Sequence, residues 1–196
     1  MTLPTTISKE ELRELPLFSF TGRIHLPTTR QELEDVATEL RRHKVIGFDT
    51  ETRPSFKKGQ SYLPSLVQLG TETDAYLFQL KKIETLAPLI EILESPATIK
   101  TGVALDRDVK ELQEYTPFDA KGFFELTNVA RDAGMEKTGL RNLCGMLLGH
   151  RISKRAQTSN WARVELTPEQ ITYAATDAWV SLKLFQRLKE QRPDLF

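Results

Sequence analysis

Apolar positions follow two rhythms along the chain. Leu33, Val36, Ala37 and Leu40 recur at three- and four-residue spacing, which predicts an amphipathic helix. The same spacing predicts helices over 83–93, about 106–115, 123–133 and 140–148. Short apolar runs instead predict strands at 22–26, at Val45-Ile46-Gly47-Phe48, and over 65–69, 75–80 and 98–104. Three of these strands follow one another with short links, the last link being the turn 71–74, so the segment 45–80 reads as an antiparallel meander. Cap signals punctuate the pattern. Ser8 with Glu11 forms a capping box, flanked by Ile7 and Leu12 as a hydrophobic staple, and this short helix should end before Pro16. Thr28 with Gln31 caps the next helix. Thr167-Pro168-Glu169-Gln170 opens a long final helix that runs to about 189, with Pro193 beyond it. Strands first and alternating helices later predict an α/β fold, a mixed sheet flanked by helices. The chain divides into an N-terminal arm with a short helix, 1–19, and one domain, 20–196.

Composition narrows the class. A chain of 196 residues with 39% hydrophobic and 28% charged residues is ordinary globular protein. Disorder, collagen and disulfide scaffolds are excluded, and no apolar run reaches the ~20 residues of a membrane span. The N-terminus lacks the basic and apolar regions of a secretory signal. A single cysteine, Cys144, has no disulfide partner in the chain; it reads as a core thiol, and the expected compartment is the reducing cytoplasm. His25, His43 and His150 share no zinc-ligand spacing with one another or with Cys144.

Charge changes the picture only locally. Lysines and arginines number 27 and aspartates and glutamates 27, which disfavours a nonspecific basic coat for nucleic acid. The segment 137–163, however, holds Lys137, Arg141, Arg151, Lys154, Arg155 and Arg163 with no acid among them. Two readings stand. These residues contact phosphates, with Trp161 stacking on a base; or they are solvated helix faces and Trp161 packs in the core. The loop 53–60, with Lys57 and Lys58, is a second candidate for substrate contact.

Three acid-bearing segments carry the candidate chemistry. Asp49 and Glu51 follow an apolar strand and, two residues apart, share a face. Side by side they repel, which a divalent cation relieves; the alternative is a polar strand end with two solvated acids. Tyr173 and Asp177 share a helix face among Ile171, Ala174, Ala175 and Ala178. An acid on that apolar side is costly unless paired or metal-bound; alternatively it points outward. In Gly102-Val103-Ala104-Leu105-Asp106-Arg107-Asp108, a strand gives way to a helix, with Asp106 as natural N-cap and Asp108 in a first turn that favours negative charge.

In this order, FDTET, GVALDRDVKEL and YAATDA resemble the three motifs of the DEDD 3′-5′ exonucleases, and Tyr173 resembles the mark of their tyrosine subclass. SLVQL and GLRNLCGMLLGHRISKRAQTSNW agree, most like the Werner syndrome helicase exonuclease domains and more distantly ribonuclease D. The resemblance spans about 20–190. It implies a ribonuclease H-like fold with a mixed five-stranded sheet, and a site of Asp49, Glu51, Asp108, Tyr173 and Asp177, with Asp108 chosen over Asp106 by its spacing from Gly102. It further implies two Mg²⁺ or Mn²⁺ ions held by the four carboxylates, and a nucleic acid with a free 3′ end, DNA before RNA, shortened to nucleoside 5′-monophosphates. A noncatalytic nucleic-acid-binding module, a ribonuclease D-like RNA-processing exonuclease and an endonuclease of the same fold are the alternatives. Oligomeric state has no signature in the sequence.

Overall fold

The computed structural model describes residues 3–55, 57 and 59–196. Strand β2 (Val45–Thr52) lies inside a six-stranded sheet, with β1 (Arg23–His25), β3 (Pro64–Gly70), β4 (Asp74–Gln79), β5 (Ile99–Gly102) and β6 (Phe123–Glu125) in the order β1-β4-β3-β2-β5-β6. The pairs β2–β3 and β3–β4 are antiparallel, the expected meander. The outer pairs β1–β4, β2–β5 and β5–β6 are parallel.

Helices cover both faces. α1 (Lys9–Glu14) belongs to the arm, and α2 (Arg30–Leu40), α3 (Ala87–Glu94) and α4 (Leu105–Tyr115) flank the sheet. One core joins Leu33, Leu40, Leu89 and Leu112 to Ile46, Phe48, Val67 and Phe78 on one sheet face. On the other face lie α5 (Leu126–Asp132), α6 (Leu140–Leu143) and the 24-residue α7 (Pro168–Gln191). There Val180, Leu184 and Phe185 of α7 pack with Leu126, Ala130, Leu143 and Leu147. With both faces covered, every residue of β3 and β4 is buried.

Several sequence expectations are corrected. The sheet has six strands rather than five, because Phe123-Phe124, read as the start of a helix, pairs with β5 as β6 and the helix begins only at Leu126. The helix expected over 83–93 starts at Ala87, with Pro88 in its first turn. The cap of α2 is Thr29 with Glu32, one residue beyond Thr28 and Gln31; the Glu32 carboxylate accepts from both Thr28 and Thr29 N–H groups at 2.9 and 3.0 Å. The stretch 140–148 is α-helical only to Leu143 and continues as a π-helical turn, Cys144–Leu148. Asp106 is not an N-cap. Ala104 holds that position in the left-handed region, φ 63°, and the Glu125 carboxylate accepts the N–H groups of Ala104 and Leu105 at 2.9 and 2.6 Å. The capping boxes at Ser8 and Thr167 are present as read. No helix is long and apolar enough to cross a membrane among the described residues.

Candidate active site

Alternation along β2 puts Gly47, Asp49 and Glu51 on one face, and that face meets α7. Gly47 pairs with Gly70 across β2–β3. A Cβ at Gly47 would lie 1.8 Å from the Ala178 carbonyl oxygen, and one at Gly70 2.8 Å from Ala178 C and Trp179 N. Two glycines therefore let the backbone of α7 rest on the sheet, and Asp177 arrives one residue before that contact. The result is a cluster: Asp49, Glu51 and Asp177 each offer a carboxylate oxygen, all within 4.8 Å of one another. Tyr173, one turn earlier on α7, lines the same cleft.

Burial and mutual repulsion set the charges. Desolvation, then Asp177 and Asp108, push the Asp49 carboxyl well above the carboxylate range. Desolvation, then Asp49, pushes Glu51 up to about 10. Asp177 rises to about 7 by burial, opposed by the Tyr173 hydroxyl and the Arg141 guanidinium. One Asp177 oxygen is buried with no hydrogen-bond partner. An all-carboxylate donor set with an orphaned buried oxygen fits a hard divalent cation.

Linkage follows from these shifts. Acids whose native pKa lies above ~4 hold protons that the unfolded chain has lost, so metal-free stability falls as pH rises through the folded values. Those values are about 7 for Asp177 and about 10 for Glu51. A divalent cation held by these acids would remove the penalty. Millimolar Mg²⁺ should therefore raise Tm more at pH 8 than at pH 5, by about 5 °C for the few kcal/mol involved. Scanning fluorimetry at the two pH values reads this directly; equal increments at both would exclude the linkage.

Asp108 stands apart from this cluster. It comes from the first turn of α4, and its Oδ1 accepts a hydrogen bond from the Thr50 hydroxyl at 2.9 Å. Burial pushes it up to about 6, against the lowering effect of that bond. Its charge reaches Asp49 and Glu51. Asp106 is exposed and lines a separate groove with Val109 and Phe123.

The substrate-contact candidates disperse. Lys154 lines the acid cleft, a cavity of about 570 Å³. Arg155 is exposed and lines a second groove between the arm and α7. Arg163 lies in a shallow depression beside Gln79 and Lys82. Lys57 is exposed in the loop after β2, and Lys58 lies outside the described residues. Trp161 does not offer a stacking face. It is 1% exposed, packed with Leu66, Leu77 and Ala174, its ring 5.9 Å from that of Tyr173. Trp161 is thus the wall behind the tyrosine, and its bulk, not its π face, is in use.

Sequence reading counted Arg141 among the basic residues but did not place it in the site. Its Nε donates to the Ile152 carbonyl at 3.2 Å, and it lines the acid cleft close enough to act on Asp177 and Tyr173. The signal was available: Arg141 is the one basic residue in the expected helix 140–148. Cys144 is buried and its thiol is pushed up to about 12, chiefly by burial, so it is inert at neutral pH.

A mixed sheet wrapped by helices on both faces, with carboxylates clustered on its central strand, defines a ribonuclease H-like α/β protein. A family profile described as 3′-5′ exonuclease matches residues 24–192, and the chain belongs to that family. The mouse bifunctional 3′-5′ exonuclease/ATP-dependent helicase WRN is 30% identical over 184 residues, 89% of this chain and 13% of that protein. Ribonuclease D of Granulibacter bethesdensis is 31% identical over 177 residues, 87% of this chain and 44% of that protein. The crystal structure of the Aedes aegypti Nibbler EXO domain superposes with a TM-score of 0.78 at 25% identity, covering 88% of this chain and 90% of that one. The chain thus spans under half the length of both curated relatives.

Proposed function

We propose that this protein is a metal-dependent 3′-5′ exonuclease of the DEDD type, tyrosine subclass, that removes nucleoside 5′-monophosphates from the 3′ end of nucleic acid. The observation that carries the reading is the convergence of Asp49, Glu51 and Asp177 within 4.8 Å beside Tyr173, from two elements far apart in the chain. Mg²⁺ or Mn²⁺ suits the donors: Asp49, Glu51 and Asp177 would hold one ion, and Asp108 with Asp49 would hold a second. Such ions supply a Lewis acid and a water of lowered pKa.

The remaining work falls to the chain. Thr50 holds Asp108 against β2, and its N–H donates to Asp49 at 2.8 Å, fixing that carboxylate. Burial, then Asp177 and Glu51, push the Tyr173 hydroxyl far above its ordinary value. It stays protonated, so its role is to orient the attacking water by hydrogen bonding rather than to take a proton. Arg141 and Lys154 meet the phosphate in a cleft whose floor would otherwise repel it.

Tyr173→Phe should slow nucleotide release about a hundredfold, within the range for a positioned proton-handling group. The ratio of wild-type to variant rates should not grow toward pH 10, because no phenolate is involved. A variant within threefold of wild type would remove Tyr173 from the chemistry.

DNA is the favoured substrate. One relative is named ribonuclease D, so RNA is the second reading. Matched 3′-labelled DNA and RNA, digested with Mg²⁺ or Mn²⁺, test both: mononucleotides identify an exonuclease, internal fragments an endonuclease, and no product a binding module.

A further inference from the structure

The acid cleft is lined by Lys9, Arg141 and Lys154 as well as by its three acids, and part of that lining comes from outside the family match. The match begins at residue 24. Ile7, Ser8, Lys9 and Leu12 precede it and line the same cleft as Asp49, Glu51 and Asp177.

The arm is fastened there by both backbone and side chains. The Thr5 carbonyl accepts Glu136 N–H at 2.7 Å, and the Ile7 carbonyl accepts Lys137 Nζ at 2.7 Å. Ile7, Leu12 and Leu15 close over Gly145, where a Cβ would lie 3.1, 2.6 and 3.3 Å from their methyl carbons. Arg151 donates its N–H to the Pro16 carbonyl at 3.0 Å and its Nε to the Leu15 carbonyl at 2.9 Å. Phe20 N–H donates to Thr176 Oγ1 at 3.0 Å, one residue before Asp177. The wall is therefore held in register with the acid-bearing helix.

Lys9 is the residue that local structure does not explain. It follows the Ser8 N-cap directly, a position where the helix dipole favours negative charge. Glu10 and Glu11 of the same turn satisfy that preference. Lys9 is exposed. Among the described residues, the ion pairs engage other lysines and arginines, and neither Lys9 nor Lys154 has a carboxylate partner.

We propose that the arm, described from residue 3 to residue 19, is one wall of the substrate path, with Lys9 taking the phosphate next to the scissile one. This rests on the exonuclease reading and names what that site selects: a strand with at least two phosphates, in preference to a mononucleotide ester. Lys9→Ala keeps the capping box and places a better helix former in α1, so folding is preserved.

Two readouts test the proposal. The first compares kcat/KM on a single-stranded 12-mer with that on the p-nitrophenyl ester of thymidine 5′-monophosphate. Lys9→Ala should lower the 12-mer to ester ratio about tenfold, and Lys9→Arg should restore it. The second is fluorescence anisotropy of a labelled 12-mer on Asp49→Ala protein, without turnover. Adding Lys9→Ala should weaken binding and lower the slope of log K against log salt by about 0.7, the loss of one phosphate contact on a single strand. An unchanged ratio with an unchanged slope, or a parallel loss on both substrates, overturns the proposal. Absence of nucleotide release by wild type, with the anisotropy effect intact, would instead overturn the exonuclease reading and leave the arm contact standing.

Discussion

Asp49→Asn should abolish nucleotide release while raising the melting temperature of the metal-free protein. The two effects have one cause. Asp49 is pushed well above the carboxylate range by burial, by Asp177 and by Asp108, so at neutral pH the metal-free fold either carries an unwelcome charge or holds a proton. Asparagine is nearly isosteric and neutral, and can keep the acceptor that meets Thr50 N–H at 2.8 Å. Removing the repulsion should stabilise the metal-free protein by about 1–2 kcal/mol, or roughly 2–8 °C. The same change deletes one carboxylate charge from the three-acid cluster. A loss of 4 kcal/mol in transition-state stabilisation is about a thousandfold in rate, and at least that much is expected. Tm without metal and digestion of a 3′-labelled oligonucleotide with Mg²⁺ give the two readings. A variant that is inactive but also less stable than wild type would mean that Asp49 is structural. A variant that is active would remove it from the site.

The sequence made the acids legible because their spacing carries geometry. Asp49 and Glu51 are two apart on a strand, so one face is forced. Tyr173 and Asp177 are four apart on a helix that Thr167 and Gln170 cap unambiguously. What it could not show is how far α7 descends onto β2. That depends on Gly47 pairing with Gly70 across the sheet, a register set by long-range contacts. Phe123-Phe124 was misread because two aromatic residues suit a helix face and a three-residue strand equally. The Ala104 cap escaped notice because its partner, Glu125, lies 21 residues further on. Trp161 fell to the plainer of its two readings: a large indole between a sheet and a helix gains more from burial than from waiting at a surface. The role of the arm was invisible for a similar reason. Residues 7–12 read as the capped helix of an arm, and only the fold lays them beside the acids.

Gly47→Ala should be the most damaging single methyl in the molecule. An added Cβ is cheap where it meets the end of a flexible side chain, but Gly47 faces backbone: a Cβ there falls 1.8 Å from the Ala178 carbonyl oxygen and 2.9 Å from Leu182 N. No side-chain rotation relieves that clash, so α7 must lift from β2 or the strand must bend. Overpacking of a core typically costs 1–3 kcal/mol, and a backbone obstruction should exceed it, with a loss of Tm of about 10 °C at this chain length. Lifting α7 also moves Asp177 away from Asp49 and Glu51, so whatever folds should lose Mg²⁺-dependent stabilisation as well as nucleotide release. Gly134→Ala supplies the contrast. Its φ is +85°, but a Cβ there meets nothing within 4 Å, so it should cost only the strain of a left-handed residue, about 1–2 kcal/mol, and leave the Mg²⁺ response intact. Thermal melts of both variants with and without Mg²⁺ separate the two effects. If Gly47→Ala keeps the full Mg²⁺ increment, the close approach of α7 does not set the geometry of the acid cluster.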